Sequence, residues 1–338
     1  MKIIITGGAG FMGSNMIRYL LREYQDVEVV NFDDLTYAGN LLNLADLDSN
    51  PRYSFVKGNI SKREDVEALL SKGADVLINY AAETHVDRSI LDPDVFVQTN
   101  VIGVHNLLEA VRKYKIPRYV QISTDEVYGA VLEGESDEKA SFEPRSPYAA
   151  SKAAGDLLCH AAAVTFGTPV IVTHSVNFYG PYQFPEKLIP LFTCNLVDGK
   201  KVPVYGDGLQ VREWIFTEDH CRAIDVIAQK GNVGEAYNIG TGHRMPNIEL
   251  IRQMLKHAGR DESYLEYVLD RPGHDRRYAL NSQKLRTELG WEPKMNFEDG
   301  IAQTIEWYKQ NPEWIANCKS GAYKEYYESQ YKHKGHSV

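Results

Sequence analysis

The run Ile3-Ile4-Ile5-Thr6-Gly7-Gly8-Ala9-Gly10-Phe11-Met12-Gly13 constrains this chain more than any other feature, because it sets a short apolar strand before glycines spaced three apart and a helix directly after them. Gly7 permits the tight turn, Gly10 lets backbone approach a pyrophosphate, and Gly13 allows close helix–strand contact, while a helix N-terminus favours negative charge. Phe11 and Met12 open the helix and flank the same site. Glycines alone are a weak signal, but here a second strand, Val27–Phe32, ends at Asp33. An acidic side chain about 20 residues beyond the last glycine can accept hydrogen bonds from ribose hydroxyls and repel a 2′-phosphate. Asp34 adds negative charge, and no Arg or Lys follows before Gly39, so NAD rather than NADP is the expected cofactor.

Apolar strand-like runs alternate with amphipathic helical stretches along the first half. Strands are expected at Lys2–Thr6, Val27–Phe32, Asp75–Tyr80, Arg118–Thr124 and Pro169–Ser175, and helices at Phe11–Glu23, Ser61–Ser71, Asp94–Tyr114 and Tyr148–Phe166. This alternation predicts an α/β fold, a Rossmann-like doubly wound parallel sheet covered on both faces. Past about residue 180 the rhythm loosens into Gly- and Pro-containing turns, which predicts a smaller C-terminal α/β substrate-binding lobe. The expected division is 1–180 for the NAD-binding domain with the catalytic residues, 181–318 mainly for the substrate lobe, with the chain free to cross between them, and 319–338 for a tail. His333 and His336 in that tail read as solvated rather than metal-binding, and no metal site is expected.

Composition narrows the function. Lys plus Arg number 37 against 46 for Asp plus Glu, a formal charge of −9, which argues against a nucleic-acid partner. Cys159, Cys194, Cys221 and Cys318 show no paired spacing, so reduced thiols in a cytoplasmic protein are expected. No apolar stretch reaches membrane length or forms a signal peptide.

Two groups of residues carry chemistry. Tyr148 and Lys152 lie four apart after Ser146-Pro147, with Pro147 suited to a first helical turn, so both side chains share one helix face. A nearby ammonium favours the phenolate, making Tyr148 a candidate base toward a sugar hydroxyl. Thr124-Asp125-Glu126 ends a strand, where open parallel sheets bind ligands. Two adjacent carboxyls beside a Tyr/Lys pair suggest acid and base duties beyond hydride transfer.

Together with these, Asp33-Asp34-Leu35-Thr36-Tyr37-Ala38-Gly39-Asn40, Ala81-Ala82-Glu83-Thr84-His85-Val86-Asp87-Arg88-Ser89, Gly180-Pro181-Tyr182-Gln183-Phe184-Pro185-Glu186-Lys187-Leu188 and Arg271-Pro272-Gly273-His274-Asp275 give a resemblance that covers nearly the whole chain. The sequence resembles the extended short-chain dehydrogenase/reductase family and, within it, the nucleotide-sugar 4,6-dehydratases. The resemblance implies a hydro-lyase that converts a nucleoside-diphosphate hexose, by default dTDP-glucose, to the 4-keto-6-deoxy sugar for deoxysugar biosynthesis. Tyr148, with Thr124 and Lys152, would take the C4 hydroxyl proton; Glu126 would take the C5 proton and Asp125 protonate the departing C6 hydroxyl.

The resemblance further implies that Leu35, Thr36, Asn59, Ile60, Ala81, Ala82 and Thr99 join the cofactor site. It sets His85, Asn177, Glu186, Lys187, Leu188, Arg212, Arg271 and His274 against the substrate, the arginines being suited to phosphate. A homodimer through a four-helix bundle of Asp94–Tyr114 and Tyr148–Phe166 is implied as well. Three positions depart from the family pattern: Phe178 follows Asn177, Asn59 replaces an Asp near the adenine, and an Asn expected to contact the nucleotide is replaced near His243. Thymidine, uridine and cytidine diphosphate hexoses therefore stay open. A sugar epimerase or decarboxylase shares the machinery but does not account for the Asp125-Glu126 pair, and a silent NAD-binding scaffold has no need of Tyr148 and Lys152.

Overall fold

The structure, a computed structural model, describes residues 1–319. Its strands are β1 (Lys2–Thr6), β2 (Glu28–Asp33), β3 (Tyr53–Lys57), β4 (Val76–Asn79), β5 (Tyr119–Thr124), β6 (Val170–Ser175), β7 (Asn177–Tyr179), β8 (Val202–Tyr205), β9 (Val211–Phe216), β10 (Ala236–Ile239), β11 (Arg244–Pro246) and β12 (Leu265–Val268). Seven of them form one sheet in the order β10-β6-β5-β4-β1-β2-β3, parallel throughout. The strand order reverses between β1 and β4, and such a switch point opens a crevice at the carboxyl ends of the strands.

Both faces of this sheet are buried, as its continuous apolar strands require. Ile3 and Ile5 enter one core with Met16 and Leu20, whereas Ile4 enters the other with Leu107, Val111 and Cys159. That alternation follows from the two-residue period of a strand. A third core, built on Leu191, Phe192, Trp214, Ile251 and Ile301, lies in the C-terminal lobe beside the small sheets β11-β9-β7 and β12-β8. Residues past 180 also join the first core: the helix Thr217–Lys230 contributes Ile224 and Ile227 to it, and β10 pairs with β6.

The helix Phe11–Glu23 spans the residues its sequence pattern marks. The stretch Asp94–Tyr114, expected as one regular helix, contains a π-helical segment at Gln98–Gly103. There Asn100 turns inward, exchanging hydrogen bonds with the Glu83 backbone at 3.0 and 2.9 Å and donating to Ser151 Oγ at 2.9 Å. The Pro147–Phe166 helix passes so close that a Cβ on Gly155 would lie 2.7 Å from the Asn100 carbonyl oxygen. The expected tail beyond Lys319, with His333 and His336, falls outside the described residues.

Candidate active site

The glycine turn is built as its spacing demands. Gly7 has φ +68°, and a Cβ on Gly13 would stand 2.2 Å from the Gly7 carbonyl oxygen. Gly10 occupies the N-cap of the following helix with no side-chain cap, so the first-turn amides have no side-chain acceptor of their own. Such amides, at the positive end of the helix dipole, suit a pyrophosphate. Asp33 closes β2 and accepts from the amides of Ala9 at 2.9 Å and Leu35 at 2.7 Å, with burial raising its carboxyl above the ordinary value. Leu35 pays for this turn with φ +57°. Asn59 donates to Asp34 at 2.7 Å and accepts from the Ser61 amide and hydroxyl at 2.8 and 2.6 Å, so its amide has protein partners at both ends.

One cleft runs from this turn to the C-terminal lobe. Its walls bring together Gly7, Gly10, Phe11, Met12, Gly13 and Ala82 with Thr124, Asp125, Glu126, Tyr148 and Lys152. His85, Asn177, Glu186, Lys187, Leu188, Arg212, Arg271 and His274 complete it. Asp33, Leu35, Thr36, Asn59, Ile60, Ala81 and Thr99 are not part of that wall; of these, Leu35 is joined to Asp33 through its amide, and Asn59 reaches the neighbouring Asp34.

Ser146 caps the catalytic helix by accepting from the Ala149 amide at 3.1 Å, with Pro147 in the first turn. Tyr148 is buried edge-on to Phe96, ring centroids 6.3 Å apart. The Lys152 ammonium donates to the Ile122 carbonyl at 2.6 Å. The expected depression of the phenol by Lys152 is not what the cleft produces: burial and Glu126 push Tyr148 above its ordinary value, and a hydrogen bond with Thr124 is the influence that pulls it down. Burial wins because the tyrosine is desolvated on all sides while the ammonium is committed to a carbonyl.

The neighbouring carboxyls differ sharply. Asp125 is 3% exposed, its Oδ1 lies 3.3 Å from Thr124 Oγ1, and its Oδ2 has no hydrogen-bond partner among the described residues. Burial first, then the charge of Glu126, holds the Asp125 carboxyl well above the ordinary range, against a smaller opposing pull from Arg212. Burial thus favours the neutral form of Asp125, while Glu126 is only partly buried and faces the cleft.

At the far end, Arg212 is buried, its guanidinium 4.2 Å from the Tyr278 ring centroid, and donates to the carbonyls of Val211 and Asp275 at 2.8 and 2.9 Å. Arg271 lies 3.4 Å from Asp87, with its Nε unpaired. Burial holds the His85 and His274 imidazoles down to about 4, and His274 Nδ1 sits 2.6 Å from Asp270. Lys187 donates to the Thr84 carbonyl at 2.8 Å, and Glu186 accepts from Tyr37 at 3.0 Å and Arg88 at 3.2 Å.

Sequence reasoning missed several residues here. Asp87 accepts from Tyr205 at 3.0 Å and meets Arg271, tying the two lobes together; its place in the His85–Ser89 motif was the available signal. Gln210, Trp214 and Asn247 line the cleft with Oε1, Nε1 and Oδ1 buried and unpaired. His243 is instead exposed and stacks near Phe297 at 5.2 Å, so the departure expected there lies outside the cleft, and Asn247 supplies the amide. Phe178 does line the cleft, edge-on to the buried His220 at 4.4 Å.

A doubly wound sheet with a glycine turn, a Tyr/Lys couple and two adjacent carboxyls in one cleft is the architecture of an extended short-chain dehydrogenase/reductase. Comparison with known proteins specifies it further. The family model described as GDP-mannose 4,6 dehydratase matches residues 4–304. The dTDP-glucose 4,6-dehydratase of Streptomyces niveus is 48% identical over 324 residues, 95% of this chain and 96% of that protein. The Escherichia coli dTDP-glucose 4,6-dehydratase is 44% identical, covering 98% of this chain and 99% of its own. The crystal structure of the dTDP-glucose 4,6-dehydratase DesIV from Streptomyces venezuelae, solved with NAD bound, superposes with TM-score 0.92 at 47% identity, covering 94% of this chain and all 100% of that one. A UDP-glucose 4-epimerase from Thermotoga maritima shares the fold at TM-score 0.86 but only 30% identity, covering 92% and 100%. The chain belongs to the GDP-mannose 4,6 dehydratase family, the nucleotide-sugar 4,6-dehydratases of the extended short-chain dehydrogenase/reductases.

Proposed function

We infer that this chain is an NAD-dependent hydro-lyase that converts dTDP-glucose to dTDP-4-keto-6-deoxyglucose. The observation that carries this reading is the split between Asp125, buried with its Oδ2 unpaired among the described residues and its carboxyl pushed above the ordinary range by that burial, and Glu126, its neighbour open to the same cleft. The Gly7–Gly13 turn and Asp33 would hold NAD, which when bound would supply the hydride acceptor for C4 and the hydride returned to C6. Tyr148 takes the C4 hydroxyl proton, steadied by Thr124, and the resulting 4-ketone acidifies the C5 hydrogen. Glu126 takes that proton while Asp125 gives its own to the C6 hydroxyl, which leaves as water. The C5 proton returns from Glu126, and solvent carries the Tyr148 proton back to restock Asp125. Net loss of water leaves the cofactor unchanged.

Arg212 and Arg271 suit the diphosphate, since the Arg212 guanidinium is buried and Arg271 is partly buried with its Nε unpaired among the described residues. Asp33 suits the adenosine ribose through the acceptor capacity left beyond its two amide partners. Incubating the protein with dTDP-, UDP- and CDP-glucose and following loss of water by mass spectrometry tests the reading; dTDP-glucose is expected to react fastest.

The chain is also proposed to pair with a second copy through the Asp94–Tyr114 and Pro147–Phe166 helices. Those helices expose Val95, Val97, Ile102, Leu157, Val164 and Phe166, from 39% to 73% each, apolar side chains that a symmetric helix–helix interface would cover. Four buried, unpaired cysteines support a reducing, cytoplasmic setting. Among the described residues no helix is long and apolar enough to cross a membrane. Sedimentation as a monomer at micromolar concentration overturns the dimer.

A further inference from the structure

A buried polar chain that none of these steps uses lies behind the catalytic helix. Asp156 follows Lys152 by one helical turn and is 3% exposed. Its Oδ2 accepts from Ser123 Oγ at 2.6 Å and lies 3.2 Å from His174 Nε2. On the other side of the ring, His174 Nδ1 is 2.9 Å from the Tyr128 hydroxyl, which is 3.0 Å from Asn238 Oδ1.

The hydrogen inventory fixes who donates. Asn238 Nδ2 faces the carbonyls of Ser136 and Asn281 at 3.0 and 3.2 Å, and carbonyls only accept, so the other end of the amide is its oxygen. The single Tyr128 hydroxyl hydrogen therefore goes to Asn238, and Tyr128 accepts from His174 Nδ1. A neutral imidazole with its hydrogen on Nδ1 presents a bare lone pair at Nε2. At 3.2 Å from a carboxylate oxygen, with the side chains 2% and 3% exposed, two acceptors would face each other without water. One proton between them removes that conflict.

We propose that Asp156 and His174 share one proton as a buried pair, and that this pair is a positioning unit that keeps Lys152 in its ammonium form behind Tyr148. Burial pulls the Lys152 ammonium below its ordinary value, and Asp156 is the largest group opposing that pull. The other groups facing the pair are Cys159 on the same helix, Ser123 and Tyr119 on β5, Tyr128 with Asp137 and Glu138 beyond it, and the Phe142 ring 5.7 Å from His174. Lys152 is the one cation among them. The inference rests on the reading of Tyr148 and Lys152 as the couple for the hydride step.

Asp156→Asn is the informative variant, because an amide nitrogen in place of Oδ2 can donate both to His174 Nε2 and to Ser123 Oγ while the negative charge is gone. Nitrogen-15 NMR of the imidazole in the substrate-free full chain should show hydrogens on both ring nitrogens of His174 in the parent protein and on Nδ1 alone in the variant. Asp156→Asn removes the carboxylate one helical turn from Lys152 together with the His174 proton, so the alkaline limb of the C4-oxidation rate should move down by about 0.3 unit, about a twofold loss of rate on the limb, with KM unchanged. His174→Gln leaves Asp156 a full carboxylate and should move the same limb up, an opposite sign that misfolding cannot produce; Asp156→Glu should restore the parent limb. A singly protonated His174 ring in the parent protein overturns the shared proton. An unmoved limb in both variants, or no recovery in Asp156→Glu, overturns its action on Lys152. If the parent protein oxidises no nucleotide hexose, the reading of the couple falls while the NMR result stands alone.

Discussion

The two ends of the cleft prepare for their ligands in opposite ways. At the glycine-turn end, Asp33 and Asn59 are already engaged within the protein: Asp33 holds the Ala9 and Leu35 amides, and Asn59 holds Asp34 and Ser61. Recognition there is a matter of backbone shape, an uncapped helix start beneath glycines that tolerate no Cβ. At the substrate end, Asp125, Gln210, Trp214, Asn247 and Arg271 each keep a buried polar atom unpaired among the described residues. Leaving such atoms unmade costs stability, so their concentration around one cavity marks where a polar ligand completes the structure. A cofactor that ends each cycle as it began is met by a rigid shape; a substrate that must be told from its relatives is met by waiting donors and acceptors.

The comparison can be broken first at its rigid end. Gly13→Ala forces a Cβ to within 2.2 Å of the Gly7 carbonyl oxygen, and overpacking of this kind costs about 3 kcal/mol. NAD affinity measured by calorimetry should fall about 100-fold; a loss under about threefold would show that the turn yields and that its shape is not the recognition element.

At the other end, Arg212→Lys keeps a charge but loses the fork held against Val211 and Asp275. The KM for dTDP-glucose should rise about 30-fold, the effect of about 2 kcal/mol at a buried charged hydrogen bond, while NAD affinity stays unchanged. A parallel loss of NAD affinity would mean that the ends are not separable.

Trp214→Phe sharpens the contrast more gently. It removes an Nε1 hydrogen that has no partner among the described residues, so the melting temperature of the free enzyme should not fall. KM should rise about fivefold, the effect of about 1 kcal/mol. A destabilised free protein with unchanged KM would show that the indole nitrogen serves the fold rather than the substrate.

The same contrast explains what the sequence made legible. Glycine spacing and strand ends are local, so the turn at Gly7–Gly13, the Phe11–Glu23 helix, Tyr148/Lys152 and the Thr124–Glu126 triplet could be read from adjacent residues. β10 could not: its four residues pair with β6, more than sixty positions earlier, and only the folded sheet shows the partner. β3 was missed because it is an edge strand of mixed burial, without the apolar run of its neighbours. Gln210, Trp214 and Asn247 come from separate segments, and what distinguishes them is an unpaired atom, a property that exists only after folding. The direction of the Tyr148 shift was misjudged for the same reason, since helical spacing shows that Lys152 is near but not that its ammonium is turned to Ile122.

The division of labour between Asp125 and Glu126 is the central claim, and single-turnover kinetics of Glu126→Gln test it most directly. The substitution keeps the size of the side chain and removes its basicity, leaving Tyr148 and Lys152 free to oxidise C4. With dTDP-glucose added, the account predicts a rise in near-ultraviolet absorbance from bound NADH that does not decay, together with a 4-keto sugar that still carries its C6 hydroxyl and has lost no water. Dehydration by Glu126→Gln at close to the parent rate would contradict the account, because the C5 proton would then have another base.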